Sequence, residues 1–126
     1  MNVQSIVRGL TTNHAQLSDK AEDRILRPVQ LAETPTSVAD KIVQWTEHES
    51  GWALVSREPD DNGAVIALHL TRTTRIFRFV DDIRVQIVAD PGGRSCRVDA
   101  ESQSRVGKGD LGQNARNLRA LVTAIR

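Results

Sequence analysis

The chain contains no tyrosine and only two phenylalanines, two tryptophans and one cysteine. So few aromatics leave little material for a platform on which nucleic-acid bases stack. One thiol, Cys96, excludes an internal disulfide framework and any cysteine-based zinc cluster. Long apolar runs are also missing. The longest, Ala64-Val65-Ile66-Ala67-Leu68, is far short of the roughly 20 residues that cross a bilayer as a helix. The opening MNVQSIVRGL lacks the apolar stretch of a secretory signal, which makes cytoplasmic residence and no membrane span the expectation. At 126 residues the chain is long enough to bury about two-thirds of its unfolded surface, so neither a metal nor a disulfide is needed to hold it together, and no cofactor is expected. A formal net charge of +1 is far from the footprint of a nucleic-acid binder, and no nucleic-acid partner is expected.

The charge that is present is unevenly spread. Residues 1–71 hold six Lys/Arg and ten Asp/Glu, whereas residues 72–126 hold eleven and six. Fourteen of the seventeen cations are arginine, whose planar fork binds carboxylates and phosphates in bidentate fashion. The C-terminal half therefore either faces an anion or neutralises the acidic half across one fold.

Residues 1–33 show no sustained period and read as an irregular arm packed on a domain spanning 34–126, with Arg27–Leu31 suited to an edge strand that tolerates Pro28. Thr34 and Pro35 open a helix over 35–49, capped by the threonine and started by a residue with no N–H to leave unpaired. Val38, Ile42 and Trp45 give it one apolar face, and Gly51 ends it. Alternation then marks strands over 52–57, 64–70, from Phe77 to Ile87, and 96–101. Asn62-Gly63 and Pro91-Gly92-Gly93 supply turns between them. In the third strand the odd positions Phe77, Phe79, Asp81, Ile83, Val85 and Ile87 form the inward row. A last helix carries Leu111, Ala115, Leu118, Leu121, Val122 and Ile125 in one stripe, with Asp110 placed as N-cap and Gln113 as its reciprocal partner. The expected fold is α+β, a two-layer domain with an antiparallel sheet of about four to five strands. Both helices pack on one face of that sheet.

The chemistry concentrates near the last strand and helix. Gly107-x-Gly109-x-x-Gly112 matches a dinucleotide fingerprint literally, yet only fourteen residues follow Gly112, too few for the second parallel strand that motif requires. A phosphate loop fails as well, because Ser102 stands where glycine is needed and Gly109 follows Lys108. Arg75-Ile-Phe77-Arg-Phe79-Val80 resembles part of an RNA-recognition signature, but Ile76 and Arg78 replace its small residues. His14, His48 and His69 show no metal-ligand spacing, so no metal is expected. Three polar oddities remain. Asn114 interrupts the apolar stripe of the last helix, where the backbone of the 104–110 loop is its expected partner. Ser102 and Ser104 continue the inward row of the last strand, and Asp81 that of the strand before. Arg105 or another arginine is the natural counter-ion for Asp81 or Asp82.

Phe77-Arg-Phe79-Val-Asp81-Asp82-Ile83, followed by Ser102-Gln-Ser104-Arg105-Val106-Gly107-x-x-Asp110-Leu111-Gly112-x-Asn114-x-Arg116, resembles the bacterial and plastid family called domain of unknown function 1499. The resemblance is strongest over residues 76–126. Many members open with a Cys-Pro-Ser-Ser-Pro-Asn-Cys-like segment, for which Leu10-Thr-Thr-Asn13-His14-Ala15 stands here without cysteines. No role of those cysteines carries over. The family has no established activity, so the resemblance implies a domain and supplies no reaction. The candidate ligand-binding residues that match its signature are Asp81, Asp82, Ser104, Arg105, Asp110, Asn114 and Arg116.

Function is therefore an expectation with rivals. The leading one is a non-catalytic binding module for a polar small molecule or a protein partner, acting as monomer or dimer through the 102–116 loop and helix start. A second is a small hydrolase or isomerase in which Asp81 or Asp82 is the base and Arg105 an electrostatic stabiliser. In a third the signature only locks the last strand to the last helix.

Overall fold

A computed structural model describes residues 14–105 and 111–126. In chain order the elements are β1 (His14–Gln16), a 3-10 turn (Arg24–Leu26), β2 (Val29–Leu31), α1 (Pro35–His48), β3 (Trp52–Pro59), β4 (Val65–Thr73), β5 (Val80–Ala89), β6 (Cys96–Ser104) and α2 (Leu111–Ile125). The fold is α+β, and every strand pair is antiparallel.

Tight turns join β3 to β6 in sequence, so these strands neighbour one another in space in the same order. The sheet has six strands instead of the four to five expected, and the difference lies in the arm. Val29–Leu31 pairs with residues 96–98 of β6, while the unforeseen β1 pairs with residues 101–103 of the same strand. Two three-residue pieces thus share one edge, each too short to show a period of two. At the other edge, β3 carries Arg57, Glu58 and Pro59, residues that discourage further strand pairing.

The core lies between the sheet and the two helices. Ile66, Leu68 and Leu70 of β4, Ile83, Val85 and Ile87 of β5, and Cys96, Val98 and Ala100 of β6 point to the helices and are buried. Val38, Ala39 and Ile42 of α1 and Leu118, Leu121, Val122 and Ile125 of α2 cover them. Burial pushes the Cys96 thiol pKa up, consistent with a small core residue. Thr34 caps α1 by accepting from Ser37 N at 3.1 Å, as its sequence position predicts. The alternate residues Ala67, Arg84, Gln86 and Arg97 are exposed, so the second face of the sheet is open.

Two features depart from the sequence pattern. A bulge between Leu54 and Ser56 puts the extra residue Val55 outward and shifts the face that later β3 residues present. Phe77 and Phe79, expected in the inward row, belong instead to an exposed β4–β5 loop; β5 begins only at Val80. Alternation continued beyond the last ladder hydrogen bonds carries no information about burial.

Gly51 joins α1 to β3 at φ 86°, and Thr73 N donates to its carbonyl at 2.8 Å. A Cβ there would lie 2.7 Å from the Thr73 carbonyl oxygen. Gly51→Ala should therefore cost more than the ~1 kcal/mol of a left-handed penalty alone. A urea titration with an unchanged midpoint would contradict this close approach.

Candidate functional site

Successive residues of a strand leave on opposite sides of the sheet. In the β5–β6 register Asp81 faces Ser104 and Asp82 faces Gln103. The acidic doublet is therefore divided: Asp81 goes under α2, and Asp82 goes to the open face.

Beneath α2 a buried polar cluster replaces the apolar core. Asp81 is 1% exposed and accepts from Asn117 Nδ2 at 2.8 Å. The same Asn117 amide nitrogen lies 3.1 Å from Ser102 Oγ, while its carbonyl accepts from Gln113 Nε2 at 2.8 Å and Arg72 Nη1 at 3.3 Å. Ser102 donates to Asn114 Oδ1 at 2.7 Å, and Asn114 Nδ2 donates to Ser104 Oγ at 3.1 Å. Arg72 is the cross-strand neighbour of Asp81, and its guanidinium stands 5.7 Å from the centre of the Trp52 ring. The Asn117 amide thus links a buried carboxylate to a guanidinium. Asn114 meets the side chains of Ser102 and Ser104, while residues 106–110 of the loop whose backbone is its expected partner lie outside the described residues. Asn117 was missed, although it lies one turn beyond Asn114 on the same stripe.

On the open face Arg105 grips Asp82 with two hydrogen bonds, Nε to Oδ2 at 2.9 Å and Nη2 to Oδ1 at 3.0 Å. His69 Nε2 is 2.7 Å from Asp82 Oδ1. The Arg105 guanidinium, seconded by His69 and opposed by partial burial, holds the Asp82 carboxyl at about 2. With Asp82 ionised, His69 Nε2 must be the donor, so that in the neutral ring Nδ1 carries the lone pair. Farther along this face His14 Nε2 lies 3.0 Å from Glu101 Oε2.

Between these pairs runs an open groove of about 400 Å³, lined by residues that include Ser56, Glu58, His69, Arg84, Asp99 and Glu101. Ser56 is the cross-strand neighbour of His69, and Arg84 stands between His69 and Glu101 in register. The Arg84 guanidinium makes no hydrogen bond or ion pair with another described residue. Neither His69 nor Arg84 is among the residues that the sequence pattern singles out as a ligand site. Their wet-face positions on adjoining strands were the available signal.

The candidate residues consequently do not form one surface. Asp82 and Arg105 meet on the open face; Asp81, Ser104 and Asn114 meet under the helix. Arg116 is on the exposed side of α2, where it donates to Gln113 Oε1 at 3.1 Å. Asp110, with its expected capping role, lies outside the described residues. Among the described residues, no three or more His, Cys, Asp or Glu gather as a metal site would require, and no helix is long and apolar enough to cross a membrane.

The model of the family described as "Protein of unknown function (DUF1499)" matches residues 8–125, and the chain belongs to that family. No curated protein and no solved structure matches.

Asn117→Ala should destabilise the fold by about 3 kcal/mol or more, because it strips partners from a buried carboxylate. Its urea midpoint relative to wild type checks this. Asp82 has a different signature. Its folded pKa lies below the ordinary 3.8, so its contribution is full above that pH and disappears as pH falls toward 2. Asp82→Asn should cost about 1–2 kcal/mol at neutral pH, after allowing for solvent screening, and progressively less in acid. A pH-independent difference between the two proteins would refute the ion-pair assignment.

Proposed function

We propose that this family member is a non-catalytic binding module for a polar small molecule, held on the open sheet face from Arg105 along the groove to Arg84. Arg84 is the observation that carries this reading. It is a guanidinium on the groove floor with no described partner, between residues whose own charges are already engaged. A carboxylate or phosphate group is the natural complement of its fork. Glu58 and Asp99 on the same lining offer acceptors for the donors of that molecule. The groove lies within the range of roughly 300–1,000 Å³ typical of small-molecule sites, and its polar lining favours a polar occupant.

The hydrolase or isomerase alternative needs a different base from the one its sequence argument named. A carboxyl held at about 2 is a weak proton acceptor, and Asp81 is covered by α2. The His69–Asp82 contact is what favours acid–base chemistry as a second reading, since it orients His69 with Nδ1 as the basic atom.

Native mass spectrometry of the full chain purified from its own host decides between them. The expected result is a retained small polar molecule that Arg84→Ala loses while the melting transition stays within a degree or so, as befits an exposed side chain. Retention of a protein instead would transfer the role to a partner surface. Turnover that His69→Asn abolishes would select the catalytic alternative, and undiminished retention by Arg84→Ala would reject the proposed site.

A further inference from the structure

The β4–β5 loop is the most apolar exposed part of the described chain. Ile76 is 84% exposed, Phe77 73% and Phe79 39%. The loop is closed at its base, where Thr74 N donates to the Phe79 carbonyl at 2.8 Å and Phe79 N donates to Thr74 Oγ1 at 2.9 Å. Arg75, Ile76, Phe77 and Arg78 stand beyond that closure. Arg78 reverses the chain at φ 53°, and its sequence neighbours Phe77 and Phe79 stack on each other with ring centres 5.5 Å apart. The tip is thus a built, defined projection.

Its charge has one sign. Residues 73–80 contain Arg75 and Arg78 and no acidic residue. The nearest carboxylates in sequence are Asp81, buried under α2, and Asp82, already gripped by Arg105. Neither offsets the two arginines at the tip.

We propose that this tip is a membrane-docking element, which inserts Ile76 and Phe77 shallowly into the interface of an anionic bilayer while Arg75 and Arg78 engage lipid phosphates. Apolar insertion and charge attraction are each weak alone and together give reversible binding. The pairing of exposed apolar side chains with flanking arginines matches the layered chemistry of such an interface, apolar below and phosphate above. Two other occupants fit less well. The three apolar side chains offer on the order of 500 Å² at most, with roughly 150–250 Å² per aromatic residue, against about 800 Å² per partner in a stable protein interface. A nucleic acid would need stacking faces and a track of cations. Here the two rings already stack on each other, and the most exposed apolar residue is aliphatic. The inference concerns a different surface from the groove and does not depend on it.

Cosedimentation of the full chain with vesicles tests it. Vesicles of equal parts phosphatidylcholine and phosphatidylglycerol should bind the protein, and pure phosphatidylcholine should bind it at least several-fold less. The double variant Ile76→Ser/Phe77→Ser should lose about tenfold in partitioning. Arg75→Gln should lose about fivefold, the share of one cation near an anionic surface. Val88→Ser, at the far end of β5 and also exposed, should bind as wild type does. These side chains point to solvent, so unchanged melting of each variant separates lost docking from lost folding. No partitioning into the mixed vesicles, equal partitioning of the double variant, or loss of oligonucleotide binding or self-association in its place would overturn the proposal.

Discussion

The facing of Asp81 by Ser104 across β5 and β6 is the constraint on which the rest of the candidate site depends. A strand has a period of two, so fixing one residue fixes the side taken by every other. With Asp81 and Ser104 beneath α2, Asp82 and Arg105 must leave on the open side, where they meet. A slip of one residue would put a guanidinium under the helix and expose the isoleucines and valines of β5. The apolar row Ile83, Val85 and Ile87 therefore determines the polar contacts, which have too little energy to set register themselves.

The two polar groups have different physical characters. Under the helix, Asp81, Ser102, Ser104, Asn114 and Asn117 satisfy one another in a space where an unpaired group is costly. Such a network gains little net stability over an apolar core, yet it tolerates one helix position only. Of the candidate signature residues, Asp81, Ser104 and Asn114 lie in this network. On the open face, Asp82, Arg105 and His69 remain partly accessible, and their mutual bonds leave Arg84 without a described partner. The signature residues are thus divided between a buried network and an accessible ion pair.

Legibility in the sequence followed the length and regularity of each element. Both helices, the four long strands and the turns at Asn62-Gly63 and Pro91-Gly92-Gly93 were readable, because each rests on a local period or on glycine geometry. β1 was not, since three residues supply no period and its pairing with β6 spans more than eighty positions. Parity foretold that Asp81, Ser102 and Ser104 would be inward, and charge foretold that Arg105 would have an acidic partner. The sequence argument offered Asp81 and Asp82 as alternatives at one site, whereas the pleat sends them to opposite sides of the sheet. Phe77 and Phe79 were misplaced for the opposite reason. Their alternation is real, but no neighbouring strand gives it a face.

The same strand ends are held from both sides, and this bears on how an exposed site can remain ordered. Beneath the sheet, α2 is tied to β5 and β6 through Asn117 and Asn114; above it, His69 of β4, Asp82 of β5 and Arg105 beyond β6 are bonded in a chain. Three strands and a helix are thereby locked within a few residues of one another. The β4–β5 loop springs from this clamped end, and its base is closed by the Phe79 N to Thr74 Oγ1 hydrogen bond. The groove begins beside the clamp and runs away from it toward Asp99 and Glu101. A rigid support beside polar groups with unused bonding capacity is the arrangement that limits the ordering cost of taking up a ligand.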